Sequence, residues 1–146
     1  MPPTIRYRVS LVCSHCDNLN DERNIDLATS GLGADPIDTS AYLGSTLELA
    51  LEDFADGFLT LRTPADDEQT LIALEIWGCG VCKRLQVARL EFRRRTRHVM
   101  ELVGATPGSF STEALGAAHY ISRELRIWAA QPGDDEKRLA ELEAQL

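Results

Sequence analysis

All four cysteines of this 146-residue chain stand in two Cys-x-x-Cys pairs, Cys13-Ser14-His15-Cys16 and Cys79-Gly80-Val81-Cys82. Together they can supply four thiolates, the ligand set of a closed tetrahedral metal site. Residues 17 to 78, 62 in all, lie between the pairs. Two distant segments must therefore meet at one point, which restricts topology more than any other feature does. A closed site of this kind stabilises a fold and leaves no open position for a substrate.

The segments that lead into the pairs have strand character. Ile5, Tyr7, Val9 and Leu11 alternate with Arg6, Arg8 and Ser10, the period of a half-buried strand. Residues 24–29 are expected to return as the second strand of a small knuckle, and residues 30–44, with Gly31, Gly33, Pro36 and Gly44, to form a loop. Ser45-Thr46-Leu47-Glu48 has the form of a capping box, which predicts a short helix near 45–57. Phe58 to Thr63 and Thr70 to Trp77 flank Pro64-Ala65-Asp66-Asp67 and predict a hairpin that runs directly into Cys79.

Beyond the second pair, apolar residues recur at helical spacing. Leu85, Ala88, Phe92, Val99 and Val103 suggest one helix starting at the second cysteine pair, and Leu115, Ala118, Ser122, Leu125 and Ala129 a second over 112–130. A last short helix would carry Leu139, Leu142 and Leu146. The expected fold class is α+β in a single domain, 1–146. A β-rich lobe (1–82) is closed by the four cysteines, and a helical part (83–146) forms the C-terminal third.

Charge is distributed unevenly. Residues 17–76 carry 14 acidic against two basic residues, while residues 83–98 carry seven basic residues against Glu91. Arg89, Arg93, Arg94, Arg95 and Arg97 form the densest basic run, a candidate for phosphate contacts. The same run could instead lie on the acidic part of its own chain. No apolar stretch approaches the ~20 residues of a membrane span, and residues 1–8 lack the apolar core of a signal peptide. We expect a cytoplasmic protein, where paired cysteines favour metal over disulfide.

The two motifs resemble those of zinc-ribbon and treble-clef zinc proteins, with one pair at a strand turn and the other at the start of a helix. That resemblance covers about a third of the chain. It implies Cys13, Cys16, Cys79 and Cys82 as ligands and Zn2+ as the ion, with iron or an iron–sulfur cluster as the alternative. The string Trp77-Gly78-Cys79-Gly80-Val81-Cys82-Lys83 is also similar to the thioredoxin active-site string. It differs by the inserted Gly78 and by Val81 where proline is usual, and it keeps a thiol–disulfide reading open.

Other chemistry is poorly represented. Asp17 and Lys83 stand where a c-type haem motif needs histidine, and no Lys-Ser or Lys-Thr follows the glycines at 31 and 33. His15, His98 and His119 have the contexts of surface or core-edge residues. The expected function is thus non-enzymatic: a zinc-stabilised assembly or accessory subunit that binds other protein subunits, with a homo-oligomer as one form. Nucleic-acid binding through residues 83–98 is the first alternative and a redox protein the second.

Overall fold

A computed structural model describes residues 4–30, 39–48 and 57–129. Its largest element is a six-stranded sheet in the order β6-β10-β9-β8-β11-β7. The strands are β6 (Thr46–Leu47), β7 (Phe58–Thr60), β8 (Thr70–Gly78), β9 (Leu85–Thr96), β10 (Val99–Pro107) and β11 (Tyr120–Ser122). Neighbours are antiparallel except β8 and β11, which run parallel. A second sheet joins β1 (Thr4–Tyr7) to β4 (Ala28–Ser30) and β5 (Thr39–Ala41), in the order β4-β1-β5. A two-stranded ribbon pairs β2 (Leu11–Val12) with β3 (Leu19–Asn20).

Alternation along β8 and β9 explains why the large sheet has a core on each face. Leu71, Ala73 and Trp77 of β8 and Ala88, Leu90 and Phe92 of β9 join Ile5, Tyr7, Val9 and Leu11 in the larger core. Ile72 and Leu74, with Val87, point the other way. They meet Leu115, Ala118, Ile121 and Leu125 beside two short helices, α1 (Thr112–Ala117) and α2 (Arg123–Ala129). Each fully buried Leu, Ile or Phe in these layers contributes ~1.5–3 kcal/mol relative to exposure.

Among the described residues the expected helical C-terminal third is not found. Residues 85–107 form the long β9/β10 hairpin, and β11 interrupts the helical pattern over 112–130. The spacing of Leu85, Ala88 and Phe92 fits a helix, but burial follows period two: Gln86, Ala88, Leu90 and Phe92 are buried while Arg89, Glu91 and Arg93 reach solvent. β9 pairs with β8 from Leu85 to Arg93 and with β10 from Ala88 to Thr96, so the middle of the strand has a partner on both sides. Ser111 caps α1 by accepting from Ala114 N at 3.1 Å, and Ser122 accepts from Leu125 N at the start of α2.

Three other expectations are corrected. The return strand of the knuckle is Leu19–Asn20, and Ala28–Ser30 pairs with β1 instead. Strands β7 and β8 do not form a hairpin, because β11 lies between them. The capping-box hydroxyl of Ser45 accepts from Tyr42 N at 2.9 Å, and Thr46–Leu47 is a strand. The rest of that expected helix, and the residues 139, 142 and 146, lie outside the described residues. No described helix is long and apolar enough to cross a membrane.

Candidate metal centre

The first pair occupies the turn between β2 and β3, and the second the turn between β8 and β9. The two turns are built alike. In the first, Asp17 N donates to Cys13 O at 3.0 Å and Cys13 N to Asn18 O at 2.9 Å. In the second, Lys83 N donates to Cys79 O at 3.1 Å and Cys79 N to Arg84 O at 3.2 Å. Asp17 and Lys83, each directly after the second cysteine, have φ of 62° and 64°. That left-handed step turns the chain back into a strand, so the second pair does not open a helix as expected. The left-handed conformation costs a non-glycine residue ~1–2 kcal/mol, which the shared loop geometry offsets.

These turns bring the four sulfurs within 4.8 Å of one another. Cys13 Sγ lies 3.6 Å from Cys82 Sγ, and Cys16 Sγ lies 3.7 Å from Cys79 Sγ. A tetrahedral ion with metal–sulfur bonds of ~2.3 Å requires edges of ~3.8 Å. The donor set and its spacing therefore fit one metal ion held by Cys13, Cys16, Cys79 and Cys82. Cys13 and Cys79 are buried, Cys82 is half-buried and Cys16 is exposed.

Donors concentrate on the two buried sulfurs. Cys13 Sγ accepts from His15 N at 3.3 Å and from Gln86 Nε2 at 3.3 Å. Cys79 Sγ accepts from Val81 N at 3.4 Å and from Asn20 Nδ2 at 3.5 Å. The Asn20 amide, with backbone N–H groups of Cys82 and Val81, brings the Cys79 thiol down to about 6. Burial opposes ionisation of Cys13, and the Gln86 amide and the N–H groups of Cys16 and His15 outweigh it, leaving that thiol below its ordinary value. The Asn18 N–H favours the Cys16 thiolate, but desolvation and three neighbouring sulfurs push that thiol up to about 11.

Sequence reasoning missed Asn20 and Gln86. A signal was present: each lies seven residues after the first cysteine of its pair and directly after a leucine, Leu19 or Leu85. Asn20 Oδ1 also accepts from Gly80 N at 2.9 Å, and Gln86 Oε1 from Ser14 N at 2.9 Å. Each amide is thus rooted in one turn and grips the other.

The arginine run lies on a strand and its turn rather than on a helix. Arg89 pairs with Glu91 at 3.4 Å and Arg95 with Glu101 at 2.6 Å. Arg94 Nη1 donates to Glu68 O at 3.3 Å. Arg93 and Arg97 are exposed, as is His98 in the turn. His15 is exposed, with Nδ1 3.4 Å from Arg84 Nη1.

Two polar clusters lie apart from the sulfurs. His119 is buried; its Nδ1 accepts from Ile72 N at 3.0 Å and its Nε2 faces Glu68 Oε2 at 3.0 Å. The Ala65 N–H and then His119 hold the Glu68 carboxyl below its usual range. Between the sheets, Tyr7 OH donates to Thr29 Oγ1 at 2.9 Å, and Thr29 Oγ1 to Glu75 Oε2 at 2.6 Å. Burial pushes the Glu75 carboxyl up to about 7.

No protein-family model, curated protein or solved structure matches this chain.

Proposed function

We propose that the cysteine cage holds one structural zinc ion and that the protein acts without catalysis, as an assembly or accessory subunit. The cage supports a single ion over a cluster, since a cluster spreads its thiolates over several irons. A lone iron ion would fit the same distances, and visible absorbance of the purified protein distinguishes it from colourless zinc. Zinc supplies no redox chemistry and, with four thiolates, no open coordination position.

One observation carries the subunit reading. Of the seven exposed large hydrophobics among the described residues, Val12, Leu19, Val81 and Leu85 all lie on or beside the two cysteine turns. Exposed apolar side chains grouped at a rigid site mark a surface for another protein chain. Photo-cross-linking from positions 19, 81 and 85 in the native host tests this, with Ile127, exposed elsewhere, as control. A discrete protein adduct from the turns alone, lost in Leu19→Ser/Leu85→Ser, supports the reading; adducts equal to the control, or none, oppose it. Solution mass tells whether the partner is a second copy.

Nucleic-acid binding is the second reading, favoured by exposed Arg93 and Arg97 at the β9/β10 turn. Internal contacts of Arg89, Arg94 and Arg95 weaken it. Phosphate contacts require affinity to fall steeply with salt, so a titration at two salt concentrations decides. Absence of binding at low salt rejects it.

A further inference from the structure

We propose that Asn20 and Gln86 are a crossed pair of positioning residues that lock the two cysteine turns together and direct metal exchange to Cys16 and Cys82. The inference rests on the reading of the four cysteines as one metal site, and concerns how that site is assembled and opened.

The geometry is reciprocal. Asn20, at the end of the first turn, donates to the buried Cys79 sulfur and accepts from Gly80 N of the second. Gln86, at the matching position of the second turn, donates to the buried Cys13 sulfur and accepts from Ser14 N of the first. Both side chains are almost fully enclosed, Asn20 at 1% and Gln86 at 7% exposure. A carboxamide has one acceptor and two donor hydrogens on adjacent atoms. It can therefore hold a backbone N–H and a neighbouring thiolate at once, which neither a carboxylate nor an alkyl chain does.

Neither clamp involves the metal itself. Asn20 and Gln86 fix the position of the opposite loop whether or not an ion is bound, so the site is held as two mutually braced halves. The consequence is asymmetric among the sulfurs. Cys13 and Cys79 are buried and held by amides from across the site, whereas Cys16 is exposed and Cys82 half-buried. Incoming or departing metal, and any chelator, therefore meets Cys16 and Cys82 first. Partners of this type around a metal site typically change its affinity ~10–100-fold when removed.

The test uses the full chain loaded with zinc or cobalt(II), as wild type, Asn20→Ala, Gln86→Ala, Asn20→Asp and Gln86→Glu. Metal transfer to a chelator and mass-spectrometric mapping of alkylated cysteines are followed together. We expect wild type to be alkylated first at Cys16 and Cys82. Both alanine variants should transfer metal ~10–100-fold more readily. Their alkylation should be crossed: Gln86→Ala exposes Cys13 before Cys79, and Asn20→Ala exposes Cys79 before Cys13. Removing the amide donor should also shift the thiolate-to-cobalt absorption to lower energy, which a general loss of stability does not do. The acidic variants keep the backbone acceptor but set a carboxylate oxygen against the thiolate, so they should show the same crossed pattern at least as strongly as the alanine variants, and circular dichroism of each zinc-loaded variant identifies those that fold. Equal alkylation of Cys13 and Cys79 in every variant, or metal transfer at the wild-type rate, overturns the clamp. A wild type that takes up no cobalt overturns the underlying metal reading instead.

Discussion

Replacing Glu75 by glutamine should remove a pH dependence that the fold builds into its own core. The Glu75 side chain is fully buried on the inner face of β8, where desolvation raises its carboxyl from 4.5 to about 7. Hydrogen bonds from Ser122, Thr29 and the Ile76 N–H offset part of that rise, and Glu124 adds to it. In the unfolded chain the carboxyl ionises near its ordinary value, so between the two values the folded state retains a proton that the unfolded state has lost. Stability from the neutral carboxyl is therefore complete below the unfolded value and falls as pH rises through about 7. At ~1.4 kcal/mol for each tenfold change, the gap amounts to ~3 kcal/mol, of which ~2 kcal/mol falls between pH ~5.5 and ~7. Urea unfolding of wild type and Glu75→Gln, in equal excess zinc, isolates this group because thiolate protonation affects both alike. Glutamine does not titrate, so the stability difference should move by ~2 kcal/mol across that range in favour of the variant as pH rises. Curves that stay parallel from pH ~5.5 to ~8 would refute the reasoning.

Two further substitutions probe the frame around the site. His119→Ala removes the acceptor of the buried Ile72 N–H and should cost ~1–3 kcal/mol in chemical denaturation; wild-type stability would show that water replaces the ring. At Gly108 a Cβ would stand 3.1 Å from Arg89 N and 3.2 Å from Ala88 C. Backbone cannot yield as a flexible side chain does, so Gly108→Ala should lower stability by ~1–3 kcal/mol, read as an earlier thermal midpoint; an unchanged midpoint would show that β9 shifts freely.

How much of this was legible from the chain depends on where the determining contacts lie. The four cysteines were readable because their number and spacing leave one economical arrangement. The strand character of Ile5 to Leu11 was readable because alternation is local, and that of Thr70 to Trp77 because a short apolar run following turn residues is local too. Strand β9 was not: Gln86 faces inward to serve Cys13, and Leu85 faces outward, so the start of its alternation is inverted in polarity. What remains of the pattern, Leu85, Ala88 and Phe92, satisfies a helical template equally well. The insertion of β11 beside β8 depends on residues 73 and 74 meeting 120 and 121, a pairing with no local signature. Asn20 and Gln86 were visible only as a matched offset of seven residues, whose meaning requires both turns in one place.

The most direct measurement is zinc content combined with X-ray absorption at the zinc edge on purified protein. One zinc per chain, with four sulfur neighbours at ~2.3 Å, is the expected result. A folded chain without metal, or an ion with nitrogen or oxygen in place of any of the four sulfurs, would contradict the convergence of Cys13, Cys16, Cys79 and Cys82 on a single ion.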